Sequence, residues 1–105
     1  MIKALTKNWT DSQGQITEDA VITVQKLSLE KIISRNISDD GLSWVETHTY
    51  TCFGDYTVSS SDGLNIIDGG RFRYTYDITG EDPYTQSFNH LLTLQAFSGA
   101  ISVIL

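Results

Sequence analysis

The sequence predicts a mainly β member of the α+β class: a compact antiparallel sheet or small sandwich with one C-terminal amphipathic helix over about residues 82–94. Three observations carry that expectation. Thr and Ser are plentiful and join many aromatic and β-branched residues, a mixture that fits pleated, half-buried surfaces. Arg71 to Ile78 alternates cleanly, with Phe72, Tyr74, Tyr76 and Ile78 on one side and Arg71, Arg73, Thr75 and Asp77 on the other. Asp82-Pro83 then opens a run in which Tyr84, Phe88, Leu91 and Leu92 recur at helical spacing.

The helix start has a mechanism. Asp82 is a good N-cap, and Pro83 suits the first helical position because its missing N–H would be unpaired there anyway. A helix of about 10–13 residues is marginal alone, so its apolar stripe is expected to lie on the Phe72–Ile78 strand. Upstream, Lys3 to Trp9 reads as a short strand or arm, and Asp11-Ser12-Gln13-Gly14 as a turn. Ala20, Ile22 and Val24 share one strand face; the pattern then continues at Leu27 and Leu29, so a bulge or bend is expected near Gln25-Lys26. A helix over Ala20 to Ile33 is the alternative, disfavoured by the Ala-Val-Ile-Thr-Val start.

Asp39-Asp40-Gly41 signals a hairpin turn into a long strand, Leu42 to Phe53. Neither face of that strand is cleanly apolar, which suits an edge or a surface facing another subunit. Gly54-Asp55 reads as a break or bulge, Ser59 to Gly63 as an exposed loop, Leu64 to Ile67 as a short strand and Asp68-Gly69-Gly70 as a turn. Gly99 closes the helical region or the turn after it. The tail, Ala100 to Leu105, carries no charged side chain and is expected to pair as a strand or be buried by a partner.

The whole chain bounds function more than it names it. Its 105 residues form one domain, residues 1–105, and 40% hydrophobic content is too high for disorder. The net charge is −6, and the 7 Lys and Arg are scattered, which argues against nucleic-acid binding. No apolar run approaches a membrane span, and no export signal is visible, so the expectation is synthesis in a reducing cytoplasm. From Asn36 to Gly70 there is no Lys or Arg. That acidic stretch reads first as a solvated surface and second as a face for a basic partner or a cation.

Chemistry needs converging groups, and the sequence offers few. One cysteine, Cys52, excludes an internal disulfide and a multi-cysteine zinc site; in its strand-like run it reads as a buried, inert thiol. His48 and Cys52 are about 13 Å apart along an extended strand, too far for direct activation. His48 and His90 have no partner at metal-ligand spacing, and there is no nucleophile elbow or phosphate loop. Carboxylates in the turns are expected to bond their own backbone, and the Asp62 and Asp68 loops lack repeated calcium-ligand spacing. Trp9 and Trp44 suit packing before sugar stacking. The expectation is a non-enzyme with no catalytic residue, metal, cofactor or small-molecule substrate.

The C-terminal third adds a resemblance. Tyr74 to Tyr84, followed by Gln86-Ser87-Phe88-Asn89-His90-Leu91, Leu94 and Phe97-Ser98-Gly99-Ala100, resembles the ending of a group of small tailed-bacteriophage proteins. That ending is similar to a Tyr-x-Tyr-Asp strand, an Asn/Asp-Pro cap, a Gln-Ala-Tyr-x-His-Leu helix and a Leu-Pro-x-Phe-x-Gly-Ala close. Asp19-Ala20-Val21-Ile22-Thr23-Val24 resembles a further strand of the group. The match covers roughly a quarter of the chain. Ser87-Phe88 replaces Ala-Tyr, Gln95 replaces Pro, and the last residues are more apolar than in the group.

The resemblance implies a virion structural protein of the tail, baseplate or fibre-attachment region. It would be made in the host cytoplasm, act in the virion by contact with other virion proteins and be present in several copies or as a homo-oligomer. A capsid decoration protein is the first alternative, and a carbohydrate- or receptor-binding module the second. The expected contact residues are Phe97, Ile101, Val103 and Leu105.

Overall fold

The computed structural model describes the backbone of residues 2–104 and the side chains of residues 4–103. Five strands form one sheet: β1 (Ile2–Thr10), β2 (Ile16–Ile37), β3 (Trp44–Ser59), β4 (Ile66–Tyr76) and β5 (Ile101–Ile104). Their order is β4-β3-β2-β1-β5, and every neighbouring pair is antiparallel. The first four make a meander. Helix α1 (Pro83–Leu92) and a 3-10 turn (Gln95–Phe97) then carry the chain across one face and return it as β5 beside β1. The mainly β class, the antiparallel sheet and the C-terminal helix are as expected, and the architecture is a single sheet.

The phase change in β2 is a bulge at the expected place. The register with β3 slips between Gln25 and Ser28, and Lys26 takes a left-handed φ of 56°. The extra residue turns Leu27 toward the core while Val24 stays inside. A second bulge falls where β2 meets β1 between Lys7 and Trp9; Asp19 there has φ 52°, and its N–H donates to Asn8 Oδ1 at 3.0 Å.

Two glycine readings need correction. Gly54-Asp55 is no break: β3 runs straight through, and Gly54 lies where an added Cβ would meet Leu27 Cδ2 at 2.5 Å and Phe72 Cζ at 2.7 Å. Asp68-Gly69-Gly70 is no turn either, because β4 is continuous from Ile66. Gly70 pairs with Tyr56, whose ring occupies the space a Cβ would need. Both glycines make room for a large neighbour.

The core is built from Leu5, Trp9, Ala20, Ile22, Val24, Val58 and Phe72 below, with Phe88, Leu91 and Phe97 above. Asp82 caps α1 by accepting from Thr85 N–H at 2.9 Å, with Pro83 at the first helical position. The buried helical face differs in part from the predicted stripe: Phe88 and Leu91 are buried, but Tyr84 is exposed and Ser87 takes a core position. Ser87 can be buried because its hydroxyl donates to Pro83 O at 2.7 Å and meets the Tyr74 hydroxyl at 3.0 Å. Gln86 ties the loop before α1, accepting from Asp77 N–H and donating to the Asp77 and Glu81 carbonyls. Ile78 lies beyond the end of β4 and is exposed.

Candidate interaction surfaces

The chain is much longer than a globular domain of its size. Its radius of gyration is 17.7 Å, with extents of 60 × 31 × 22 Å, against about 13 Å for a compact domain of this length. The cause is the β2–β3 hairpin. Beyond the Tyr50–Tyr76 pair, β3 has only β2 beside it among the described residues. Every residue of β2 from Ser28 to Ile37, and of β3 from Trp44 to Thr49, is exposed. The result is a ribbon of ten residue pairs, Ser28–Phe53 to Ile37–Trp44, whose outer six, Ile32–Thr49 to Ile37–Trp44, lie beyond β4 and are two-stranded.

Directly paired residues share a face, so the register sorts the ribbon. On the side continuous with buried Cys52 lie Leu29, Ile33, Ile37 and Trp44, interleaved with Lys31, Arg35 and Glu46. Arg35 Nε is 3.1 Å from Glu46 Oε2, Glu46 also meets His48, and Lys31 Nζ stands 6.0 Å from the centre of the Tyr50 ring. The other side carries Ile32 and Val45 among Thr47, Thr49 and Thr51. Five ribbon residues, Leu29, Ile33, Ile37, Trp44 and Val45, are each about half or more exposed. Such a length of apolar and β-branched surface, with open edges, is a template for another chain.

The expected contact residues fall in different places. Phe97 belongs to the chain's own core, 5.4 Å from the Trp9 ring and 5.1 Å from Tyr56 between centroids. It is therefore not a surface residue. Ile101 and Val103 lie on β5, paired with Thr6 and Ala4. Leu5, opposite Ser102, points into the core, so Ile101 and Val103 project from the sheet face that α1 does not cover. Both are exposed. Leu105 lies outside the described residues. The tail pairs within its own sheet, one of the two fates expected for it.

Cys52 is fully buried beneath α1. Burial raises the Tyr74 hydroxyl far above its ordinary value and holds His90, stacked on Tyr74, below its own. Trp9 is buried and donates to Asp68 Oδ2 at 3.0 Å, whereas Trp44 is 71% exposed near the ribbon tip. The acidic stretch is strung along the molecule: Asp39 and Asp40 at the ribbon tip, Asp55 in mid-strand, Asp62 at the opposite end of β3. Among the described residues no group of three or more His, Cys, Asp or Glu could hold a metal ion.

The ribbon is the feature that sequence reasoning did not foresee. Its signal was present in the mixed faces of Leu42 to Phe53, which suit a strand with no sheet on one side. Comparison of the chain with protein families, curated proteins and solved structures finds no match.

Proposed function

We propose that the chain is a bacteriophage virion structural protein, a component of the tail, baseplate or fibre-attachment region that works by protein–protein contact. The observation that carries this reading is the exposed β2–β3 ribbon. It contributes none of the core cluster, so its exposed apolar residues are not accounted for by folding of the body. An arm of this kind reaches past its own domain and offers edges and faces to a neighbouring subunit. The C-terminal resemblance supplies the virion setting.

The test is a shortened ribbon. Residues 32–49 are removed, and Lys31 is joined to Tyr50 through Asn-Gly, a two-residue hairpin connection. The variant should keep the near-ultraviolet circular dichroism of the body. Mass spectrometry of gradient-purified phage particles from the cells that express the natural chain should find that chain, and the shortened variant should fail to enter them. Absence of the natural chain from particles refutes the reading. A carbohydrate-binding reading has one observation in its favour, exposed Trp44 beside Arg35 and Glu46; unchanged tryptophan fluorescence across a glycan panel would remove it.

A further inference from the structure

Two loops at opposite ends of β3 are built on one plan. Ser38-Asp39-Asp40-Gly41-Leu42-Ser43 joins β2 to β3, and Ser60-Ser61-Asp62-Gly63-Leu64-Asn65 joins β3 to β4. In each, the first Ser N–H donates to the carbonyl of the sixth residue, at 2.7 and 2.8 Å, and the Gly N–H donates to the first Ser carbonyl, at 2.9 and 2.8 Å. In each, the Asp Oδ1 accepts from the Ser hydroxyl and from the Leu N–H, the latter at 2.9 Å in both. The same bonds, the Ser hydroxyl first, hold both carboxyls below the ordinary range. Both glycines take a left-handed φ, 71° and 77°.

These bonds explain Ser, Asp and Gly. They do not explain Leu, because only its backbone N–H is used, and any residue but proline supplies one. Yet Leu42 is 87% exposed and Leu64 81%, the highest values among the exposed large hydrophobic residues. Each is presented on a loop already fixed by its own hydrogen bonds, so little freedom would be lost on docking. The sixteen residues of β3 between the loops span about 50 Å at strand rise.

We propose that both loops are leucine plugs and that a second copy of this chain receives them on its uncovered sheet face, at Phe53, Arg71 and Arg73. This rests on the structural-protein reading above. Charge complementarity selects the receiver. The plugs lie in the stretch without Lys or Arg, with Asp39 beside one of them and a loop carboxylate in each. Arg73 is registered opposite Phe53, and Arg71 opposite Asp55, so an aromatic ring and two exposed arginines share one face with the carboxylates of Asp55 and, on β2, Glu30; the plugs' carboxylates would meet the two guanidinium groups at its β4 edge. Arg71 is only loosely engaged, 3.8 Å from Asp55 with its side chain 93% exposed. One loop covers much less than the about 800 Å² per partner of a standard interface, so each contact is weak. A plug meeting a different surface is a heterologous contact, which builds rings or filaments and not closed pairs.

Sedimentation velocity on the full chain tests this. The wild type should exceed its monomer mass of 11.7 kDa as concentration rises at low salt, and should return toward it as salt is added. Leu42→Ser and Leu64→Ser should each weaken association about two-fold, the statistical factor for one of two equivalent plugs. The double variant, and separately Arg71→Glu with Arg73→Glu, should stay monomeric. Mixing those two monomeric proteins should restore association, since one brings intact receivers and the other intact plugs. That recovery also excludes misfolding as the cause of either loss. A wild type that stays monomeric, a double leucine variant that assembles normally, or a mixture that fails to associate overturns the proposal. None of these outcomes bears on particle incorporation, which judges the structural-protein reading separately.

Discussion

Replacing Gly54 by alanine is the most direct probe of how β3 packs. Gly54 is buried in mid-strand between the β2 bulge and β4, and a Cβ there would stand 2.5 Å from Leu27 Cδ2 and 2.7 Å from Phe72 Cζ. The Leu27 side chain is only half buried and can swing; Phe72 is fixed in the core. Overpacking of this kind costs about 1–3 kcal/mol, and alanine recovers about 0.5–1 kcal/mol of the glycine's conformational entropy. The net loss is about 1–2 kcal/mol, a fall in Tm of about 4–16 °C for a domain of this size. Urea and thermal unfolding of Gly54→Ala, Leu27→Ala and the double variant measure it. Removing the Leu27 branch vacates one of the two clashes, so the double variant should be more stable than the sum of the singles by at least about 0.5 kcal/mol. Wild-type stability in Gly54→Ala, or strict additivity in the pair, would refute the packing account and return Gly54 to the role of a local break.

Phe97→Ala should cost about 3–5 kcal/mol by opening a cavity between Trp9 and Tyr56, read as a large drop in urea midpoint; a near-neutral effect would place Phe97 at a surface. Asp82→Ala should cost about 1 kcal/mol through loss of the N-cap, with Asp82→Asn losing less. Because the Thr85 N–H and hydroxyl hold the Asp82 carboxyl below its ordinary value, its contribution is present above about pH 4 and fades as pH falls through the folded value. His90 works through desolvation: the unfolded chain takes up a proton near pH 6.5 while the folded chain resists, so stability should fall as pH drops from about 6.5 through the lower folded value. His90→Gln should flatten that slope in urea titrations between about pH 6.5 and 5.

Local chemistry made much of the fold legible. The bulge at Lys26 follows from a phase change in apolar residues that no regular strand can absorb. The Asp82-Pro83 cap and the Asp40-Gly41 turn follow from residues whose preferences agree with their neighbours, whereas nothing in the tail's own residues names β1 as its partner strand. The misreadings share a cause. Glycine marks either a turn or a place where a neighbour needs the volume of a side chain. At Gly54 and Gly70 the deciding atoms belong to Leu27, Phe72 and Tyr56, all distant in sequence or on another strand. Hydropathy ranks Tyr84 above Ser87 for the buried face because it takes no account of the two oxygen partners that let Ser87 be buried. Alternation identifies a strand without saying how far its neighbours accompany it, so the ribbon's reach beyond β4 leaves no mark in that pattern.

The ribbon's energetics connect fold to use. Ordering a residue's backbone costs about 1–2 kcal/mol, whereas a favourable cross-strand pair contributes about 0.2–1 kcal/mol. The Arg35–Glu46 and Lys31–Tyr50 contacts are exposed, and an exposed ion pair contributes at most about 1 kcal/mol. Thr47, Thr49 and Thr51 suit the strand but bury little apolar surface. A two-stranded hairpin in water is marginal for this reason, so the outer ribbon lies close to balance while the body beneath α1 is held by its core. Exposed Leu29, Ile33, Ile37 and Trp44 are the reserve that shifts this balance: covering them adds apolar burial at about 25 cal/mol per Å² to strands already registered. Binding by the ribbon would therefore deepen order that the chain already has, and its tip would reach a neighbour with the geometry of both strands set before contact.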